Sequence, residues 1–214
     1  EDASSGESGA TVSLDVPLDA QGVEALADAV VECGACLQTQ DCAVITSYYF
    51  PNDEGTEQSL ADLEAVFDLG VSRAVIGSAA VSDPDFVRAA VERYGDRIAV
   101  GIDARDGRVR TAGWEQDSGL NDLDFAKTMD AMGVKTIIFT DIATDGMLSG
   151  PSFQQLEALQ KTVPCNIVAS GGVATLDDVK RLRDMGLYGA IIGKAYYAGT
   201  LDLPQAVKEA GPQC

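Results

Sequence analysis

From residue 60 onward, the apolar residues of this chain alternate between two rhythms. Leu60–Leu69 carries apolar positions at helical spacing and stops at Gly70, a residue suited to closing a helix. Ala74–Ala80 (AVIGSAA) is a short apolar run that predicts a buried strand. Asp83-Pro84 then opens a helix running to about Tyr94, with proline in the first turn, where its missing N–H costs nothing. The pattern repeats with strand Ile98–Asp103 (IAVGID), helix Leu120–Met132 and strand Thr136–Asp141 (TIIFTD). Helix Ser152–Lys161 follows, closed off before Pro164, and then strand Asn166–Ser170 (NIVAS). Helix Leu176–Met185, strand Ala190–Lys194 (AIIGK) and a helix from about Leu203 complete the series.

These strands are nearly continuous runs of β-branched and small apolar residues, as expected where a parallel sheet is covered on both faces. Strand–helix alternation predicts an α/β architecture with right-handed crossovers. The stretch GRVRTAGWEQDSG (107–119) has no apolar run and reads as a polar loop. The first 59 residues are less regular. Glu1–Ala10 reads as a loose acidic tail, Thr11–Val16 and Ala43–Phe50 as strands, Gln21–Cys33 as an amphipathic helix, and Pro51–Gln58 as a loop. Seven strands result, one short of an eight-stranded βα barrel. The expectation is a tail followed by a single domain over 11–214, of which 11–59 is divergent and acidic.

Composition supports a sizeable core, with 46% hydrophobic residues in 214. No apolar run reaches the roughly 18–20 residues a membrane-spanning helix needs. Charge changes the picture more. The net charge is −19, which argues against a general nucleic-acid binder or a binder of anionic membranes. Residues 1–72 hold 15 acids and no Lys or Arg, whereas residues 73–214 hold 19 acids and 15 bases. An acidic segment of this kind suits a basic protein partner. The first residue is Glu1 rather than Met, so the chain is read as a fragment or as a processed form; the expected compartment is the cytoplasm, or a plastid if a targeting peptide has been removed.

Five cysteines, an odd number, do not form the framework of a secreted disulfide protein. Cys33, Cys36 and Cys42 invite a metal or redox reading, but zinc normally takes a fourth ligand and the chain has no His. The simpler reading is a helix end whose thiols pack as small hydrophobes. No metal site and no cofactor are expected.

In parallel α/β folds the chemistry gathers at the C-terminal ends of the strands. Here those ends are Gly77-Ser78, Asp103, Thr140-Asp141, Ser170-Gly171-Gly172 and Gly193-Lys194. Glycines after two neighbouring strands either serve tight turns or let backbone N–H groups approach a phosphate; two such loops on one rim favour phosphate. Asp103 ends an otherwise apolar strand, as an N-cap or as a proton-transfer group. Thr140 and Asp141 could orient a substrate or polarise Asp103. Trp114, the only Trp, is either a packing anchor or a stacking surface for a planar ring. The glycine-rich stretch with Asp145, Gly146 and Gly150 follows Asp141 and reads as a lid.

Residues 60–207 resemble the histidine-biosynthesis isomerases that convert ProFAR to PRFAR, two phosphoribosyl-aminoimidazole-carboxamide ribotides. The resemblance rests on GVSRAVIGSAAVSDPDFV, YGDRIAVGIDARDGRV, GW, TIIFTDIATDGMLSGPS, IVASGGV and GAIIGKAYYAGTLDLPQAV. It implies a (β/α)8 barrel of the TIM type, a metal-free Amadori rearrangement and a phosphate site on each side of the mouth. By motif, Asp103 corresponds to the general acid, Thr140 to an orienting hydroxyl and Trp114 to a substrate-loop residue. Gly171, Gly172, Gly193 and Lys194 correspond to one phosphate site, with Ser170 beside them; Gly77 and Ser78 correspond to part of the other. The family's first-strand motif PAID, which carries the base, and its motif GGGIR are absent; Asp15 in SLDV stands as the replacement base, and Gly55-Thr56-Glu57-Gln58 occupies the place of GGGIR. The alternative is a barrel that has lost its chemistry and serves as a subunit of a larger assembly.

Overall fold

The computed structural model describes residues 59–68 and 73–210. Helix α1 (Leu60–Asp68) leads to strand β1 (Ala74–Ile76), the short helix α2 (Ala79–Ser82) and helix α3 (Pro84–Tyr94). After a single 3-10 turn come β2 (Ile98–Arg105), β3 (Arg108–Thr111), β4 (Gln116–Asn121) and α4 (Asp122–Ala131). The remainder is β5 (Thr136–Asp141), α5 (Phe153–Thr162), β6 (Asn166–Ser170), α6 (Leu176–Asp184), β7 (Gly189–Ala190), α7 (Lys194–Tyr197) and α8 (Leu203–Ala210). No helix among the described residues is long and apolar enough to cross a membrane. The predicted elements over 11–58, together with Asp15, Cys33, Cys36 and Cys42, lie outside the described residues.

Local chemistry sets the helix starts. The Asp83 carboxylate accepts the Phe86 N–H at 3.0 Å, with Pro84 in the first turn of α3. Asn121 accepts from Leu123 and Asp124 at 3.1 Å ahead of α4. Thr175 and Asp178 form a reciprocal capping box on α6. Each satisfies N–H groups that have no partner inside the helix.

Strands β1, β2, β5, β6 and β7 run parallel in that spatial order. Side chains alternate across the sheet, and the two faces differ. Ile98, Val100 and Ile102 of β2, Ile137 and Phe139 of β5, and Ile167 and Ala169 of β6 join the helices in the main core. The opposite face carries a smaller buried cluster of Val75, Ala99, Ile138 and Val168. A sheet buried on both faces is what the continuous apolar runs predict.

Three predictions need correction. The polar stretch after Asp103 is an antiparallel hairpin, β3–β4, because β2 runs on to Arg105 and pairs Ala104 with Val109 and Arg105 with Arg108. Val109 is buried while Arg108 is exposed, an alternation too short to register as an apolar run. The strand predicted over Ala74–Ala80 ends at Ile76, since the Ala80 N–H turns back to the Gly77 carbonyl at 2.9 Å and starts α2. The last predicted strand, Ala190–Lys194, pairs only over Gly189–Ala190, and Lys194 begins α7.

Candidate functional site

The register of the sheet aligns three predicted site residues. Asp103 pairs with Thr140, and Thr140 pairs with Ser170, across adjacent strands β2, β5 and β6. All three share the phase of the Ala99–Ile138–Val168 face rather than that of the helix-facing core. Neighbouring strands lie about 4.8 Å apart, so the row spans about 10 Å. A carboxyl and two hydroxyls therefore stand side by side where the parallel strands end.

Asp103 is held by its neighbours. The Trp114 indole Nε1–H donates to its Oδ2 at 2.8 Å. Burial is the largest influence on the carboxyl and raises its pKa above the ordinary 3.8. Hydrogen bonds from Trp114 and Thr140 act in the opposite direction, and the negative charge of Asp145 adds a further rise. Desolvation wins because it disfavours the charged form more than two donors favour it. Thr140 itself is buried at the end of a strand whose six residues are all buried. Asp141 is spent on the turn that follows: its Oδ1 accepts the Ala143 N–H at 3.0 Å.

Trp114 reaches Asp103 because the β3–β4 turn folds over the strand ends. Ala112, Gly113 and Trp114 all have positive φ (52°, 63° and 75°), a left-handed run that is costly for the two side-chain-bearing residues. The turn is tied to the end of β1, where the Ser78 hydroxyl accepts the Ala112 N–H at 3.2 Å. Between the hairpin and the strand ends lies a cavity of about 320 Å³, lined by Gly77, Ser78, Gly101, Asp103, Arg110 and Trp114 among others. Gly77, Ser78, Asp103 and Trp114 are thus brought together. Arg110 was not singled out by the sequence; its only signal was the alternation of RVRT, visible once that stretch is known to be a strand.

The other predicted residues that the structure describes lie on the segments that follow β5, β6 and β7. Gly171 and Gly172 have φ of +89° and +80° and pack against the loop after β5. A Cβ on Gly171 would lie 2.9 Å from the Asp141 carbonyl oxygen, and one on Gly172 only 2.3 Å from that of Gly150. The Gly150 N–H also donates to the Gly172 carbonyl at 3.0 Å. Close loop packing alone therefore requires glycine at both positions. The lid loop is pinned at its root, where Thr144 and Asp145 N–H groups donate to the Asp141 carbonyl, and its tip carries Gly146 and the exposed Met147. Gly193 differs: its φ is −104° and a Cβ there would meet nothing within 4 Å. Open space over the Gly193 backbone, beside the exposed Lys194, leaves room for a ligand group. Asp15 lies outside the described residues. Among the described residues no group of three or more Cys, Asp and Glu is placed to hold a metal.

The sequence matches a family described as histidine biosynthesis protein over residues 55–202. It is 45% identical over 170 residues to the 1-(5-phosphoribosyl)-5-((5-phosphoribosylamino)methylideneamino) imidazole-4-carboxamide isomerase of Clostridium novyi, covering 78% of this chain and 71% of that protein. The proteins of the same name from Listeria innocua and Listeria welshimeri are 49% and 51% identical over 154 and 149 residues. Those matches cover 72% and 70% of this chain, but the chain spans 64% and 62% of the two relatives' lengths.

Proposed function

Because this chain belongs to the histidine biosynthesis protein family, whose fold is the (β/α)8 barrel, we propose that it catalyses the aldose–ketose isomerisation for which its relatives are named. The observation that carries the reading is the half-buried Asp103, its pKa raised, lining a cavity at the ends of the parallel strands. A carboxyl whose pKa is raised keeps its proton to higher pH than an ordinary one, which suits a general acid.

The reaction moves protons and gains or loses no atoms. Protonated Asp103 gives its proton to the ring oxygen of the aminoaldose ribose, the C1–O bond breaks, and an iminium forms at C1. A base removes the proton from C2; Asp15 is the residue assigned to this step. The base returns its proton to C1 of the resulting enol-amine while the C2 hydroxyl gives up its proton, which restores Asp103, and the ketose forms. Thr140 orients Asp103, and the Trp114 ring offers its face to the planar imidazole. Gly77 and Ser78 receive one phosphate. The other goes to the rim formed by Ser170, Gly171, Gly172, Gly193 and Lys194, with Asp145 and Gly146 closing from the lid. Every step is a proton transfer, within the reach of carboxyl groups without a cofactor. The acidic residues 1–72 are assigned to contact with a basic protein partner, and the cytoplasm is the compartment that fits a biosynthetic isomerase.

Turnover of the authentic ribotide tests the proposal. The full chain should convert it, Asp103→Asn should reduce kcat by about 10²–10⁴-fold, and Asp15→Asn should do the same. Absence of turnover at high enzyme concentration would reject it in favour of a non-catalytic barrel subunit.

A further inference from the structure

The cavity that holds Asp103 also contains an underused cation. Arg110 is the only Lys or Arg lining it among the described residues. Its Nε is buried and has no hydrogen-bond partner. The register places Arg110 opposite Asp117, yet Nη2 and Oδ2 are 3.4 Å apart, longer than a charge-assisted hydrogen bond, and the Asp117 side chain is 40% exposed. A guanidinium has five donors in a planar fork. Here it has one loose ion pair and one dry, unsatisfied N–H, an arrangement that costs stability unless something else completes it.

Charge distribution along the chain narrows what that could be. No Lys or Arg precedes Arg73, so residues 1–72 contain no cationic side chain. Asp145 already places negative charge nearby. An anion entering between Gly77-Ser78 and the hairpin would need a compensating donor, and Arg110 is the one in place. Its fork matches the oxygens of a phosphate.

We infer that Arg110 is a substrate-binding and specificity-determining residue: its Nε and Nη groups take a phosphate monoester at the Gly77–Ser78 side of the Asp103 cavity, in exchange for its loose pair with Asp117. The inference rests on the isomerase reading for the identity of the ligand, a ribotide phosphate, but not for the site itself.

Binding of ribose 5-phosphate to the full chain, followed by fluorescence of Trp114, the single Trp, tests the site without turnover. Arg110→Ala should weaken binding about tenfold or more, and Arg110→Lys should recover part of the loss, because it restores the charge without the fork. Asp117→Asn should bind as tightly as the parent or more tightly, since it frees Arg110. With the ribotide, Arg110→Ala should raise KM far more than it lowers kcat. Unchanged binding in Arg110→Ala overturns the inference, as does failure of the parent to bind ribose 5-phosphate. Equal weakening by Asp117→Asn and Arg110→Ala also overturns it, because that marks a purely structural pair. Should Arg110→Ala not fold, Arg110→Lys and Asp117→Asn decide by the same criteria. Arg110-dependent binding without ribotide turnover would sink the isomerase reading and leave this one standing; turnover with an Arg110-independent KM would do the reverse.

Discussion

Trp114 donates its indole N–H to the Asp103 carboxylate at 2.8 Å, across eleven residues of chain that double back as a hairpin. One residue opposes the ionisation penalty that burial imposes on the other. The pair links the β3–β4 turn to the carboxyl on which the proposed chemistry depends.

That link predicts a shift in the pH profile. Removing the donor while keeping an aromatic ring, as in Trp114→Phe, deletes an influence that lowers the Asp103 pKa, so the pKa rises further. A general acid must be protonated to act. The alkaline limb of the kcat/KM profile should therefore move to higher pH in the variant. A limb that stays in place would separate Trp114 from control of the acid.

Asp103 should also carry a stability cost. Its folded-state pKa is raised, so the fold favours the protonated form, and stability falls as pH climbs from the ordinary carboxyl value through the folded one. Asp103→Asn removes the buried charge and should melt at a higher temperature than the parent at pH 7.5. The gap should shrink as the pH is lowered, because the parent carboxyl takes up its proton. The neutral-pH gain should be on the order of 1 kcal/mol, typical when a functional residue is replaced. A gap that stays constant as the pH falls would contradict the assignment.

Two glycines should respond very differently to alanine. At Gly172 the new Cβ meets the Gly150 carbonyl at 2.3 Å on a backbone with φ +80°, so Gly172→Ala should cost more than about 2 kcal/mol of stability. At Gly193 the Cβ enters open space at negative φ, so Gly193→Ala should change stability by less than about 0.5 kcal/mol. If a phosphate approaches the Gly193 backbone, the same variant should bind inorganic phosphate more weakly. Denaturant melts and phosphate titrations of both proteins check the pair.

Cys165 should be chemically inert. Its thiol is desolvated and contacts Asp130 Oδ1 at 3.3 Å and the Val134 carbonyl at 3.1 Å. Burial first, then the acidic neighbour, push its pKa up to about 12. The thiolate fraction at pH 8 is then on the order of 10⁻⁴, far too small for ready alkylation. Residue-resolved mass spectrometry after iodoacetamide at pH 8 should leave Cys165 unmodified while the chain is folded and label it after denaturation.

The sequence by itself determined the order and kind of the main elements. Hydrophobic period separates strands such as Thr136–Asp141 and Asn166–Ser170 from the helices between them, and both strands appear with those bounds. That signal is local, since a strand buried on both faces must be apolar throughout. The sequence also placed Asp103, Thr140 and Ser170 near one rim of the sheet, although β2 runs two residues past Asp103.

Tertiary structure decided what period and composition do not encode. The β3–β4 hairpin is polar and exists because β2 extends far enough to pair with it, so neither Trp114 over Asp103 nor Arg110 in the cavity could be read from 107–119 alone. The glycines divided on the same ground: Gly171 and Gly172 are demanded by a neighbouring backbone, whereas Gly193 is not. Whether a backbone or open space faces a residue depends on contacts between segments distant in sequence. Those contacts also set the burial that lifts the Asp103 pKa.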